Sequence, residues 1–396
     1  MQRPEVVILT DLYWPSPGGM EESIRGVVEA LSERFRFSIY THQKKPYNRS
    51  LLHKTVCLGR FKPYRDPAGI EVRPLAPSIF GRVGMLPFLL WYAPLMRRII
   101  PKSLFDALYP FYAAAFAAKI TRAIRHADLV HCFSTGHLAI LATRICRRYK
   151  KPLVQSPYIH FDQWGDTPRL LKAYANASLL VCPTDSSREQ LRKLGVTGPA
   201  RIITNPPLPP RSPEKPRPPV KFIDPPFILF LGRREAHKNL ALLANAYKRL
   251  PPGTARLVVA GPGEEKALPH TDCIELGLVD EPTKQWLLSR CDIFCVPSTS
   301  ESFGIVFTEA MSYAKPVVAL DVSPVNEIVR SGETGILVRP GDPVALSEAL
   351  RRLLDNPRER KKMGMAGLRR YEERYEREKV VEKIAEWYQR LICKCQ

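Results

Sequence analysis

The chain has 396 residues, 45% hydrophobic and 25% charged, with 60 Lys and Arg against 39 Asp and Glu for a net charge of +21. That length exceeds one ordinary domain and suits two, and the composition excludes a collagenous, disordered or disulfide-stapled chain. Residues 1–205 hold 30 basic and 14 acidic side chains, so the first half favours an acidic partner: nucleic acid, an anionic membrane surface or a phosphate-bearing substrate. A merely solvated basic surface is the alternative reading.

The opening MQRPEVVILTDLYWP shows no signal-peptide pattern, because its apolar run is short and ends in an acid. Residues 6–10 form a strand candidate, followed by the Pro/Gly-rich loop PSPGGM. Residues 21–34 carry Ile24, Val27, Val28 and Leu31 at helical spacing, and 37–41 read as the next strand. The apolar run 85–100, MLPFLLWYAPLMRRII, reads either as core helices or as a membrane-surface patch ending in Arg97 and Arg98. Pro87 and Pro94 argue against one long interfacial helix there. The β-α-β alternation recurs: strands at 128–132 and 152–155 flank a helix at 137–148, and a strand at 179–182 precedes a helix at 186–194. Strands alternating with helices argue a parallel, doubly wound sheet.

Residues 206–226, PPLPPRSPEKPRPPVKFIDPP, cannot continue a helix or sheet and read as a stiff linker. The alternation then restarts: strands at 227–231, 257–260, 292–297 and 316–319, helices at 241–250 and 304–313. Residues 367–392 read as one long charged helix. The expected domains are therefore 1–205, the linker 206–226, and 227–371, with a C-terminal helix over 372–396 returning to the first domain. No run of about eighteen apolar residues suggests a membrane span. The nine cysteines, Cys57, Cys132, Cys146, Cys182, Cys273, Cys291, Cys295, Cys393 and Cys395, show no zinc-finger spacing, and a reducing, intracellular setting is expected.

Four clusters carry candidate chemistry. Gly18 and Gly19 let backbone approach a ligand beside a helix start, where a phosphate fits; a plain turn is the alternative. In LGRREAHKNL, residues 231–240, Arg233 offers a bidentate fork and Lys238 a compact charge to a diphosphate. In PSTSESFGIVFTEA, residues 297–310, Glu301 lies in a loop and Glu309 in the helix that follows. The helix start near Ser302, Phe303, Gly304 and Ile305 presents free N–H groups to an anion held between the carboxylates. His131 and His160 both follow first-domain strands; each reads as a sugar contact or as a structural histidine. No nucleic-acid-binding motif accompanies the charge.

Taken together, these clusters resemble glycosyltransferase family 4, retaining enzymes of the GT-B fold. PSPGGMEES resembles the family's Gly-Gly donor loop, and GRREAHKN its Gly-Arg to Lys stretch. PSTSESFGIVFTEAMSYAKPVVA resembles its paired-glutamate segment, and SPVNEIVRSGETGILVRPGD the stretch after it, with Glu327 and Gly335 at family positions. Ser302 and Ala314 stand where the family has glycine. The resemblance implies two Rossmann-like α/β domains facing a cleft. It implies transfer of a hexose from a UDP- or GDP-linked sugar to a hydroxyl acceptor, with retention at the anomeric carbon; the basic first half and the apolar run 85–100 point to a lipid-linked, phosphorylated or cell-envelope glycan acceptor. By motif, Gly19 approaches the donor, Arg233 and Lys238 hold the diphosphate, Glu301 the sugar hydroxyls and Glu309 the ribose, while His160 or His131 contacts the sugar. No Asp-x-Asp-type metal motif appears, so no cofactor or metal is expected. The expected location is cytoplasmic, with peripheral contact on the inner face of the cell membrane. A non-catalytic sugar-binding protein and a sugar epimerase or phosphorylase of the same fold stay open as alternatives.

Overall fold

The computed structural model describes residues 3–15, 18–42, 62–77, 79–86, 88, 102–159, 165–204, 217–219, 226–263 and 273–394. The chain forms two compact units: residues 1–204 with 381–396, and residues 205–380.

The first unit holds strands β1 (Glu5–Thr10), β2 (Arg36–Thr41), β3 (Tyr64–Arg65), β4 (Glu71–Pro74), β5 (Leu129–Phe133), β6 (Leu153–Gln155), β7 (Leu179–Cys182) and β8 (Ala200–Ile202). Their order is β3-β4-β2-β1-β5-β6-β7-β8. Every pair is parallel except β3 with β4, an antiparallel edge. The central strands are apolar almost throughout because helices cover both faces of such a sheet; all five residues of β5 are buried. The helices are α1 (Gly19–Leu31), α2 (Ile79–Gly84), α3 (Lys102–Ala107), α4 (Tyr109–Arg125), α5 (His137–Arg148), α6 (Pro168–Ala175) and α7 (Asp185–Lys193). On α1, Ile24, Val27, Val28 and Leu31 are the buried stripe, the face read from their spacing.

The second unit holds β9 (Phe227–Leu231), β10 (Arg256–Ala260), β11 (Cys273–Gly277), β12 (Ile293–Cys295), β13 (Val317–Leu320) and β14 (Gly335–Val338). Their order is β11-β10-β9-β12-β13-β14, and all pairs are parallel. Its helices are α8 (Leu240–Tyr247), α9 (Glu281–Arg290), α10 (Ile305–Ser312), α11 (Val325–Ile328), α12 (Pro343–Asp355) and α13 (Pro357–Arg374). A last helix, α14 (Arg377–Cys393), starts in the second unit and ends in the first.

One sequence expectation changes. The single helix over 367–392 is two helices. The Tyr371 carbonyl accepts from both Tyr375 and Glu376 N–H groups, at 2.8 and 2.9 Å, and the Tyr375 ring turns inward edge-on to Phe303. Burying that ring ends α13. In the 85–100 run, Met85 and Phe88 are core residues and Leu86 is exposed; residues 87 and 89–100 lie outside the described residues, with most of the 206–226 linker. Among the described residues, no helix is long and apolar enough to cross a membrane.

Candidate functional site

The order of strands reverses at β9: the chain passes to β10 on one side, and β12 lies on the other. In open parallel sheets, ligands sit beyond the carboxyl ends of the strands at such a point. Two loops meet there, residues 232–239 after β9 and 296–304 after β12. They are stitched together, because the Thr299 N–H donates to the His237 carbonyl at 2.8 Å. A one-turn 3-10 helix, Ala236–Lys238, ends on Asn239 at φ 55° and turns the lysine inward. Lys238 Nζ then lies 2.5 Å from Glu301 Oε1, with the two side chains only 10% and 9% exposed. An ammonium carries three donors, so this pairing leaves two for a ligand.

The adjacent arginines divide their labour. Arg234 is tied to Glu275 on β11 at 2.8 Å. Arg233 is half exposed and pairs with Glu235 at 3.0 Å, a partner that a phosphate can displace. His237 is held below its usual pKa, first by burial and then by the Lys238 charge, which favours a neutral ring beside the cations.

The turn into α10 is made at Gly304, at φ 96° and ψ 56°. A Cβ there would stand 2.6 Å from the Phe307 ring, so only glycine fits. Glu309 Oε1 accepts from Lys284 Nζ at 2.8 Å, and Lys284 also pairs with Glu281 at 3.0 Å. Ser302 and Ile305 are partly buried. The Phe303 side chain is 1% exposed and belongs to the core, so the contact read from the sequence falls to its backbone N–H.

The sequence reading missed Gly261 and Lys284. Gly261 follows β10 at φ 132°, and a Cβ on it would stand 1.8 Å from the Gly232 carbonyl oxygen. This crossing presses the Gly232–Arg234 loop against residues 260–262: Gly232 donates to the Ala260 carbonyl at 3.0 Å and Arg234 to that of Pro262 at 2.8 Å. The Gly-Pro-Gly after a buried strand was the available signal. Lys284 sits on a charged helix with no local motif to mark it.

In the first unit the order reverses at β1, between β2 and β5. Gly19 opens α1 and Gly18 precedes it in extended backbone. A Cβ on Gly18 would meet the Glu21 carboxyl at 2.3 Å, so a carboxyl group stands beside this loop, where the sequence reading put a phosphate. Of the two readings of His131, the structural one holds and the sugar contact needs correction. Its ring is 1% exposed, with Nδ1 2.5 Å from the Tyr388 hydroxyl and Nε2 2.7 Å from the Ser156 hydroxyl. Burial pushes its pKa down to about 3; it is a core residue that cannot reach a sugar. His160 lies outside the described residues. A residue not foreseen stands at the switch point: Asp11, directly after β1, accepts from Ser134 Oγ at 2.6 Å. Burial raises its pKa to about 6, against the lowering effect of Ser134 and the Thr135 backbone. Among the described residues, no group of three or more His, Cys, Asp or Glu side chains is arranged to hold a metal ion.

Comparison with known proteins places this geometry. Over 99% of this chain and 100% of the other, the structure is similar to sucrose-phosphate synthase from Thermosynechococcus elongatus, with a TM-score of 0.74 at 18% identity. It is also similar to Anabaena HepE in complex with UDP and glucose, with a TM-score of 0.70 at 17% identity, over 98% and 100% of the two chains. The fold is that of the GT-B glycosyltransferases. Residues 17–206 match the description Glycosyltransferase Family 4, and residues 212–370 match Glycosyl transferases group 1. The chain belongs to glycosyltransferase family 4. A curated relative, the phosphatidyl-myo-inositol mannosyltransferase of Mycobacterium leprae, is 37% identical over 162 residues, 37% of this chain. That match spans 42% of the relative's length.

Proposed function

We propose that the chain is a retaining hexosyltransferase that takes its donor, a nucleotide-diphosphate sugar, at the carboxyl ends of β9 and β12. The observation that carries this reading is the Lys238–Glu301 pair at the switch point, with the exposed Arg233 beside it. Arg233 and Lys238 neutralise the diphosphate as negative charge develops on the leaving group. Glu301 and Glu309 accept hydrogen bonds from sugar and ribose hydroxyls, each oriented by a lysine already in place. The leaving phosphate takes the acceptor's proton on the face it departs from, so catalysis rests on positioning and charge rather than on a protein base. The donor fits a UDP- or GDP-linked hexose, and HepE bound to UDP and glucose supports that class. The acceptor is a hydroxyl on a phosphorylated or lipid-linked molecule; the mannosyltransferase relative, named for phosphatidyl-myo-inositol, and the basic first half support it. Gly19 and His160 remain the proposed sugar contacts of the first unit.

The test is thermal unfolding with UDP, GDP, ADP and CMP. One of them, at a hundredfold its dissociation constant, should stabilise the chain by about 2.7 kcal/mol. Arg233→Ala should weaken that ligand at least tenfold with the ligand-free melting temperature unchanged. No shift with any nucleotide overturns the reading.

A further inference from the structure

Seven basic side chains of the first unit line a groove that holds none of the candidate site residues. Helices α5 and α6 pack side by side and flank an open surface groove of about 530 Å3, lined by Arg144, Arg147, Arg148, Arg169, Lys172 and Thr143. A smaller hollow of about 220 Å3 continues it, adding Lys150 and Lys151 and reaching Pro152, Leu153 and Ser178. Those last residues lead into β6 and β7. The groove therefore lies at the amino ends of the strands, at the opposite end of the sheet from Asp11 and Ser134.

None of these seven cations is paired with a carboxylate among the described residues. Between Asp106 and Asp162 the sole acid is Asp128, which accepts from the Glu5 N–H at 2.7 Å, while Asp106 accepts from the Thr167 hydroxyl at 2.6 Å and the Arg169 backbone N–H at 3.0 Å. Basic residues at helix carboxyl ends offset the helix dipole, which is the ordinary reason to find Arg147 and Arg148 in the last turn of α5. That dipole amounts to about half a charge per helix, so two helices leave most of the seven uncompensated. The guanidinium groups are also steadied. Arg148 and Arg125 lie 5.9 and 5.7 Å from the Tyr149 ring centre, and Arg169 lies 5.7 Å from that of Tyr109. Stacked arginines present their forks in fixed directions, the geometry that matches phosphate oxygens.

We propose that this groove binds a ligand carrying clustered phosphate groups, at a site separate from the one that holds the donor. Like charges crowded together oppose folding, and such a ligand relieves that repulsion. The inference rests on the groove alone and does not depend on the transfer reading.

Inorganic tripolyphosphate titrated calorimetrically into the full chain is the direct probe. With the donor site saturated by the stabilising nucleotide diphosphate, one equivalent should still bind. The triple variant Arg144→Gln, Arg147→Gln, Lys172→Gln alters exposed helix positions at similar helix propensity and should melt as the parent does. It should lose at least tenfold in tripolyphosphate affinity and keep its nucleotide shift; Arg233→Ala should do the reverse. Sedimentation with phosphatidylglycerol vesicles separates the sources. Vesicle binding lost in the triple variant, without tripolyphosphate binding by the parent, assigns the phosphates to lipid headgroups; tripolyphosphate binding alone assigns them to a soluble ligand. A triple variant that binds either probe as the parent does, or a parent that binds neither, overturns the proposal.

Discussion

Asp11 shows how one side chain at a strand end couples the site to stability. Its pKa rises from 3.8 to about 6, chiefly through burial. A folded-state value above the unfolded one means the native protein holds the extra proton. Stability contributed by Asp11 is therefore fully present below the unfolded value, falls through the window from 3.8 to about 6, and stays lost above it. Asp11→Asn removes the ionisation. At a pH above about 7 the variant should be more stable than the parent by about 3 kcal/mol, and below about pH 4 the two should melt together. Thermal unfolding at both pH values checks it; an equal difference at both would show that the carboxyl does not titrate as assigned. The buried Lys238–Glu301 pair differs in kind, since removing one partner strands a charge in low dielectric. A loss of binding in Lys238→Ala would therefore mix ligand and folding effects, which is why the exposed Arg233 is the cleaner probe.

At the scale of elements, the start of α10 is the most constrained turn in the candidate site. Gly304→Ala must hold a side chain at φ 96° and push a methyl group into the Phe307 ring, 2.6 Å away. The expected cost is on the order of 1–3 kcal/mol, read as a lower melting temperature; an unchanged value would mean the turn is made another way. This turn was legible in the sequence, as were α5, β7 and β9, because apolar periodicity and a glycine between a strand and a helix are local signals. What escaped was set by distance in the fold. His131 read equally as a sugar contact or a structural histidine, and what decides for the second is Tyr388, 257 residues away, closing off its ring. Arg233 and Arg234 are alike in sequence, and only β11 decides which of them is tied down. The break at Tyr375 follows from a pocket beside Phe303 that no helical periodicity reveals.

At the scale of the whole molecule, a net charge of +21 opposes compaction. Exposed ion pairs such as Arg34–Glu382 at 2.6 Å each return at most about 1 kcal/mol. Self-repulsion should dominate, so the melting temperature of the full chain should rise with sodium chloride up to about 1 M, where the Debye length is about 3 Å. A melting temperature that fell with salt would mean that the ion pairs outweigh the repulsion. The path of α14 has a consequence for exchanging parts among relatives. The first unit is completed by residues 381–396, including Tyr388 against His131 and Phe35. The second unit is thus an insertion within the first rather than a module appended to it. A chimera that trades one donor specificity for another must be spliced at two junctions, near residues 204 and 380. A graft made at the proline-rich segment alone would give the recipient's first unit a foreign closing helix, and His131 a stranger for its hydroxyl.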